Sequence, residues 1–164
     1  MQVLMIHEFD PLYTSLNVDR YNTITYDDGL MSQVYYRENF PNKRKIFFIC
    51  PKFIENGYND LKQPCMTVDD IKLLLDEGYE IGAHSNSHTP LDTMEDLPTR
   101  VSYLLHDTEA CIQWFKKNLG FQPTSFCFPY NDDCKGVYRA IARKYGFTEF
   151  YGSERTPIET LLHS

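Results

Sequence analysis

The sequence predicts an α/β fold: a parallel sheet with helical crossovers, short for its type and rolled into an incomplete or flattened barrel. Three observations predict it. Short runs rich in β-branched and aromatic residues alternate with longer amphipathic ones, the order that gives parallel strands joined by right-handed crossovers. Glycines stand just past the amphipathic runs, where a left-handed residue stops a helix. The chain has 164 residues, one domain spanning 1–164 at roughly 150 residues per domain, against the about 250 of a complete eight-unit barrel.

In chain order, strands are expected near Val3 to Ile6, Asn22 to Tyr26, Lys45 to Cys50, Tyr79 to Ala83, Ser125 to Phe128 and Phe147 to Tyr151. Thr67 reads as the N-cap of a helix through Ile71, Leu74 and Leu75 that stops at Gly78, with Asp69 and Asp70 at its positive end. A longer helix places Val101, Leu104, Leu105, Ile112, Phe115 and Leu119 on one face and ends at Gly120. A third runs from about Lys135 to Tyr145, capped by Asp132-Asp133 and stopped by Gly146. Trp114, on the long helix, reads as core, and His106 as a solvated position on the same helix.

With 42% apolar and 15% aromatic residues, the chain can bury on the order of 70% of its unfolded surface, which excludes disorder. Its 16 basic and 23 acidic residues leave a net charge of -7. That removes the counterion-release drive for nucleic acid and disfavours anionic membrane surfaces. The longest unbroken apolar run, Ile46 to Cys50, is 5 residues, against roughly 20 for a bilayer span, and Met1-Gln2-Val3 lacks the basic start of a signal peptide. A soluble, cytoplasmic protein without membrane insertion is expected. Cys50, Cys65, Cys111, Cys127 and Cys134 form no C-x-x-C pair and suit a reducing compartment. Cys50 and Cys127 read as small buried apolar side chains rather than ligands.

A parallel sheet carries its site beyond the carboxyl ends of its strands. Those positions read Asp27-Asp28-Gly29, Cys50-Pro51, His84-Ser85-Asn86-Ser87-His88 and Pro129-Tyr130-Asn131, so two carboxylates and two imidazoles share one rim. The i, i+4 spacing of His84 and His88 aims both rings the same way, as two ligands of one ion require. Ending the buried strand Thr23-Ile24-Thr25 with adjacent aspartates is costly unless a cation compensates. Singly, each motif also reads as a capped turn; together they read as a metal site. Two histidines and one carboxylate leave a position open for water, the pattern of a hydrolytic site, and the second carboxylate is free to act as general base. Zinc heads the expectation, with cobalt, nickel, manganese or iron suited to the same donors. His7 ends the first strand and joins the rim if that strand is parallel, which makes it a candidate general acid.

Thr25-Tyr26-Asp27-Asp28-Gly29 resembles the T-F-D-D-G motif of the polysaccharide deacetylases, the NodB-homology family or carbohydrate esterase family four, which includes chitin and peptidoglycan deacetylases. His84 to His88 is similar to that family's H-S/T-x-x-H motif, and Phe126-Cys127-Phe128-Pro129-Tyr130-Asn131 to its R-x-P-Y-G stretch. The resemblance runs from about Val3 to Tyr151. It implies a distorted, incomplete, TIM-like parallel β/α barrel, a divalent metal held by Asp28, His84 and His88, and Asp27 as the base. It also implies that the backbone N–H of Tyr130 helps the metal stabilise the oxyanion. Three departures stand out, the first being that the family's Trp-containing motif is not visible after Tyr151. Cys127 occupies the place of the family's base-orienting arginine, and Arg155, after the last strand, is the candidate replacement. The family's late L-x-H motif supplies the acid that protonates the leaving amine; Leu161-Leu162-His163 matches its letters but comes early, so His163 and His7 stand as two candidates.

The activity implied is metal-dependent removal of acetyl groups from an N-acetylated sugar or glycan by attack of a metal-bound water, with the N-acetylated carbohydrate as the expected partner. The alternatives are hydrolysis of another acyl or cyclic amide on the same fold and a catalytically silent carbohydrate-binding protein. The lost arginine and the missing late motifs favour the silent protein, and the intact Asp27 opposes it.

Overall fold

The computed structural model describes residues 2–163. Strands β1 (Val3–Ile6), β2 (Thr23–Tyr26), β3 (Arg44–Ile49), β4 (Glu80–Ala83), β5 (Ser125–Cys127), β6 (Glu149–Tyr151) and β7 (Thr156–Pro157) form a 7-stranded sheet, ordered β6-β5-β4-β3-β2-β1-β7. Every pairing is parallel. From β1 to β6 each crossover moves one place along the sheet, but β6 and β7 occupy opposite edges. Only residues 152–155 join them. Such a link spans at most about 18 Å, whereas seven strands laid flat are about 29 Å wide. The sheet is therefore rolled until its edges approach, and the fold is a short, incomplete and distorted parallel β/α barrel.

Alternation along the strands divides the side chains between two faces. Val3, Ile46, Phe48, Cys127 and Tyr151 cluster inside the roll. Leu4, Ile24, Phe47, Ile81 and Phe126 face outward into the main core with the helices. A Cβ at Gly82 would lie 2.5 Å from both the Phe48 ring and Ser125 Oγ, so only glycine lets that ring fill the interior. At the amino end of β3, Arg44 forks onto Glu80 at 2.7 Å and reaches across to Glu149 at 2.8 and 2.9 Å. This ion-pair cluster floors the barrel at the end opposite the rim.

The helices are α1 (Met31–Tyr35), α2 (Pro51–Asn56), α3 (Val68–Asp76), α4 (Leu97–Leu119) and α5 (Val137–Lys144). Thr67 and Asp70 form a capping box on α3, and left-handed Gly120 (φ 79°) ends α4. The start of α5 differs from the sequence expectation. Cys134 and Lys135 are left-handed (φ 53° each), so the helix begins only after Gly136; the Asp132 carboxylate accepts the Cys134 N–H within the preceding turn, and the aspartate pair caps no helix. Trp114 also differs: it is half-buried, with Nε1 donating to Glu55 of α2 at 2.7 Å. Strand β7 is an addition, because a two-residue run containing proline carries no strand signal. Among the described residues no helix is long and apolar enough to cross a membrane.

Gly82→Ala is expected to lower stability by about 1–3 kcal/mol through overpacking, read as a lower urea midpoint at unchanged slope. The floor cluster gives a pH dependence. Hydrogen bonds from Arg44 hold the Glu149 carboxyl below its usual value. A carboxyl whose folded pKa is depressed stabilises the fold above its unfolded pKa and loses that effect as pH falls. Between neutral pH and the acid range, the stability of Arg44→Met should accordingly fall less steeply than that of the wild type.

Candidate functional site

The carboxyl ends of β1, β2, β4 and β5 converge on a cleft of about 320 Å³. It is lined by His7, Asp27, Asp28, Asn59, Asp60, His84, His88, Tyr130 and Asn131, with Met5, Phe53 and Leu61 as apolar walls. The turns that deliver these groups bend sharply. Asp28 (φ 77°), Ser85 (61°), His88 (55°), Tyr130 (58°) and Asn131 (55°) are all left-handed, half of the non-glycine residues with positive φ in the described chain. Such strain persists only where the surroundings over-determine it, and the surroundings here do so. Gln33 of α1 donates to the carbonyls of Asp27 (2.6 Å) and His7 (3.0 Å). Buried Asp107 of α4 accepts the Asn86 N–H at 2.9 Å and the Ser87 hydroxyl at 2.7 Å, while Ser85 Oγ accepts the His88 N–H at 2.8 Å.

Asp28, His84 and His88 offer ligand atoms within 4.8 Å of one another. Asp28 Oδ1 lies 3.3 Å from His84 Nε2 and 3.5 Å from His88 Nε2, and it is buried with no hydrogen-bond partner among the described residues. His84 Nδ1 meets the Cys127 carbonyl at 2.9 Å. A carbonyl only accepts, so Nδ1 carries a proton and Nε2 is the atom turned toward Asp28. The Asp28 oxygen and the two Nε2 atoms thus face a common centre, and the local field favours a positive charge there. Burial opposes a proton on His84, but the Cys127 contact and the Asp28 and Asp27 carboxylates outweigh it and raise its pKa. His88 is pushed down by burial and by its neighbour His84. Burial also opposes the Asp28 charge, yet the two imidazoles hold its pKa below the usual value. The donor set and its orphaned oxygen fit a divalent cation. Asp27, His84 and Cys127 also lie within 4.8 Å. They fit less well, because Arg155 takes both Asp27 oxygens, and burial together with Asp27 raises the Cys127 thiol pKa.

Asp27 has a different environment from its neighbour. Arg155 Nη1 and Nη2 donate to its two oxygens at 2.7 and 2.9 Å, and the guanidinium also donates to Thr25 Oγ1, Asn131 Oδ1 and the Gly152 carbonyl. Burial disfavours the Asp27 charge, but Arg155, with His84, overrides this and holds the carboxyl far below its usual range. Cys127, in the place of an expected arginine, sets only its thiol 3.7 Å from those oxygens. His7 is in the cleft, with Nε2 3.7 Å from Asp27 Oδ2 and its side chain 42% exposed. Tyr130 is at the mouth, its ring against His88 at 4.7 Å, and its backbone N–H has no acceptor among the described residues. His163 ends the final 3-10 helix (Ile158–His163), exposed and outside the cleft lining. His106 is exposed on α4, as a solvated helix position should be.

Sequence reasoning passed over Gln33, Asn59, Asp60 and Asp107. Asp107 had a legible signal, since it lies on the same helical face as Leu104 and Cys111. Asn59 and Asp60 stand in a polar loop that reads as an ordinary turn.

A model of the polysaccharide deacetylase family matches residues 17–150, more than four-fifths of the chain. No curated protein sequence matches it. Among solved structures, the chain is similar to IcaB from Ammonifex degensii at TM-score 0.73 and 19% identity, over 96% of this chain and 84% of that one. A de-N-acetylase from Aggregatibacter actinomycetemcomitans gives 0.69 and 14%, over 95% and 92%. The chitin deacetylase from the fungal pathogen Colletotrichum lindemuthianum gives 0.54 and 16%, over 91% and 54%. At these identities the likeness is one of fold.

Because Arg155 neutralises a buried carboxylate, Arg155→Ala should cost about 3–5 kcal/mol at neutral pH, the usual cost of removing one partner of a buried pair. In a double-mutant cycle by urea unfolding, adding Asp27→Asn should recover part of that loss; simple additivity would dissolve the coupling.

Proposed function

The chain belongs to the polysaccharide deacetylase family, and from that premise we propose that it is a metal-dependent hydrolase removing acetyl groups from an N-acetylated sugar or glycan. The observation that carries this reading is the contrast between two adjacent aspartates on one rim: Asp27 is satisfied by Arg155, while Asp28 has an oxygen left bare beside two imidazoles. Asp28, His84 and His88 would hold the ion, zinc first among the candidates. When bound, such an ion supplies Lewis acidity toward a water and the acetyl carbonyl.

The chain's own groups do the rest. Asp27 takes a proton from the attacking water; its basicity is low, so its contribution comes from the fixed orientation that Arg155 gives it. The backbone N–H of Tyr130 donates toward the carbonyl oxygen as negative charge grows there. His7 Nε2 delivers a proton to the nitrogen as the C–N bond breaks, and acetate and a free amine leave. Between the two acid candidates, His7 is favoured over His163 because only His7 lines the cleft. The cleft volume is at the small end for ligand sites, suited to about one sugar residue. Among the described residues no lysine or arginine lines it, which favours a neutral sugar over an anionic one. The silent-protein reading rests in part on the arginine missing at position 127, and Arg155 supplies a guanidinium to the same carboxylate.

Acetate release from a panel of N-acetylated glycans, with and without added divalent metal, tests the proposal. Asp28→Ala should lose metal and turnover together. Asp27→Asn should keep the metal and lose about 10²–10⁴-fold in rate. His7→Gln should slow turnover with metal retained, and His163→Gln should not. A wild type that takes up an ion yet releases no acetate from any member of the panel would sink the deacetylase reading.

A further inference from the structure

The loop after α2, residues 57–66, contributes no group to the chemistry above, yet two consecutive side chains from it reach the ligand set. Asn59, buried, donates from Nδ2 to Asp28 Oδ2 at 3.2 Å. Asp60 Oδ2 lies 3.4 Å from His88 Nδ1. That ring nitrogen is buried and has no hydrogen-bond partner among the described residues. An unpaired buried polar atom is costly and calls for an explanation. The other imidazole has no such deficit, because the Cys127 carbonyl holds His84 Nδ1 at 2.9 Å.

The loop is fixed where it needs to be. Asn59 Oδ1 accepts the N–H groups of Leu61 and Gln63 at 3.1 and 2.9 Å. Cys65 bridges to Leu30, and the Met66 N–H donates to the Gly29 carbonyl at 2.8 Å. One end of the loop is thus joined to the turn that carries Asp28, while Asp60 extends to a ligand on a different turn.

We propose that Asp60 is a positioning residue for the metal centre: its carboxylate accepts the Nδ1–H of His88 and so fixes the tautomer that turns Nε2 toward Asp28 and His84. The inference rests on the metal-site reading above. At 3.4 Å the contact is long for a hydrogen bond, and a small rotation of a half-exposed side chain closes it. The Tyr130 hydroxyl, also 3.4 Å from Asp60 Oδ2, approaches the same oxygen from the cleft mouth. One histidine ligand is therefore oriented by rigid backbone and the other by a side chain. Carboxylates that orient a metal-bound histidine are typically worth 10–100-fold in metal affinity.

The test uses chelator competition with Zn²⁺ and Co²⁺ on the purified protein, together with proton NMR of the cobalt form, in which the ring N–H of each ligating histidine is a shifted, exchangeable signal. Asp60→Ala should bind about 10–100-fold more weakly, and Asp60→Glu should recover part of that. In Asp60→Ala one of the two N–H signals should be lost to solvent exchange while the other stays. Asp60→Asn, which keeps the side-chain shape, should fall between wild type and alanine, and it carries the test if the alanine variant does not fold. Wild-type affinity in both Asp60→Ala and Asp60→Asn overturns the inference alone. So does weakened binding with both N–H signals intact, which would reduce Asp60 to loop packing. A wild type that takes up neither ion overturns it together with the reading on which it rests.

Discussion

A guanidinium buried against a carboxylate joins the link before the last strand of this protein to the turn after its second, and the architecture of the rim follows from that contact. All five N–H groups of Arg155 are used: two on Asp27, one each on Thr25, Asn131 and the Gly152 carbonyl. An ion pair in such a place is not a large source of net stability, because desolvation cancels much of the attraction. Its value is geometric. The pair exists only if the chain crosses from β6 to the far edge of the sheet in residues 152–155, and that crossing exists only if the sheet is rolled. Barrel closure and orientation of Asp27 are therefore one constraint.

The same constraint separates two chemically identical neighbours. Asp27 and Asp28 are adjacent in the chain and both buried, but the turn that begins at left-handed Asp28 points them in different directions. One carboxylate is saturated by a fixed cation, and the other faces the ring nitrogens of two histidines. Environment, not residue type, sets the two carboxylates apart. Asn59 and Asp107 reinforce the division from outside, on Asp28 and on the His84–His88 turn respectively.

How much of this could be read from sequence depends on whether the signal is local. The six longer strands and the capped ends of α3 and α4 were legible because periodicity, capping residues and glycine stops act within a few positions. The cluster of Asp28, His84 and His88 was legible because each lies just past a strand, and the parallel topology brings those ends together. Arg155 was within reach by the same rule. What sequence could not supply was β7, a strand defined only by the partner it meets, and the approach of Asn59 and Asp60 to Asp28 and His88, which other turns carry. The start of α5 was misjudged because Asp132 satisfies a turn instead of a helix, a choice fixed by the left-handed Cys134 and Lys135.

Strand β7 carries a consequence for association. An open barrel leaves two strands with one unpaired side each, and such edges invite strand addition by another chain. Here β7 is two residues long and one of them is Pro157, which has no N–H to offer, while β6 at the other edge is three residues long. Neither presents the extended ladder that an incoming strand would need. The short edges let the roll remain unclosed, with its cleft accessible, at little risk of templated aggregation.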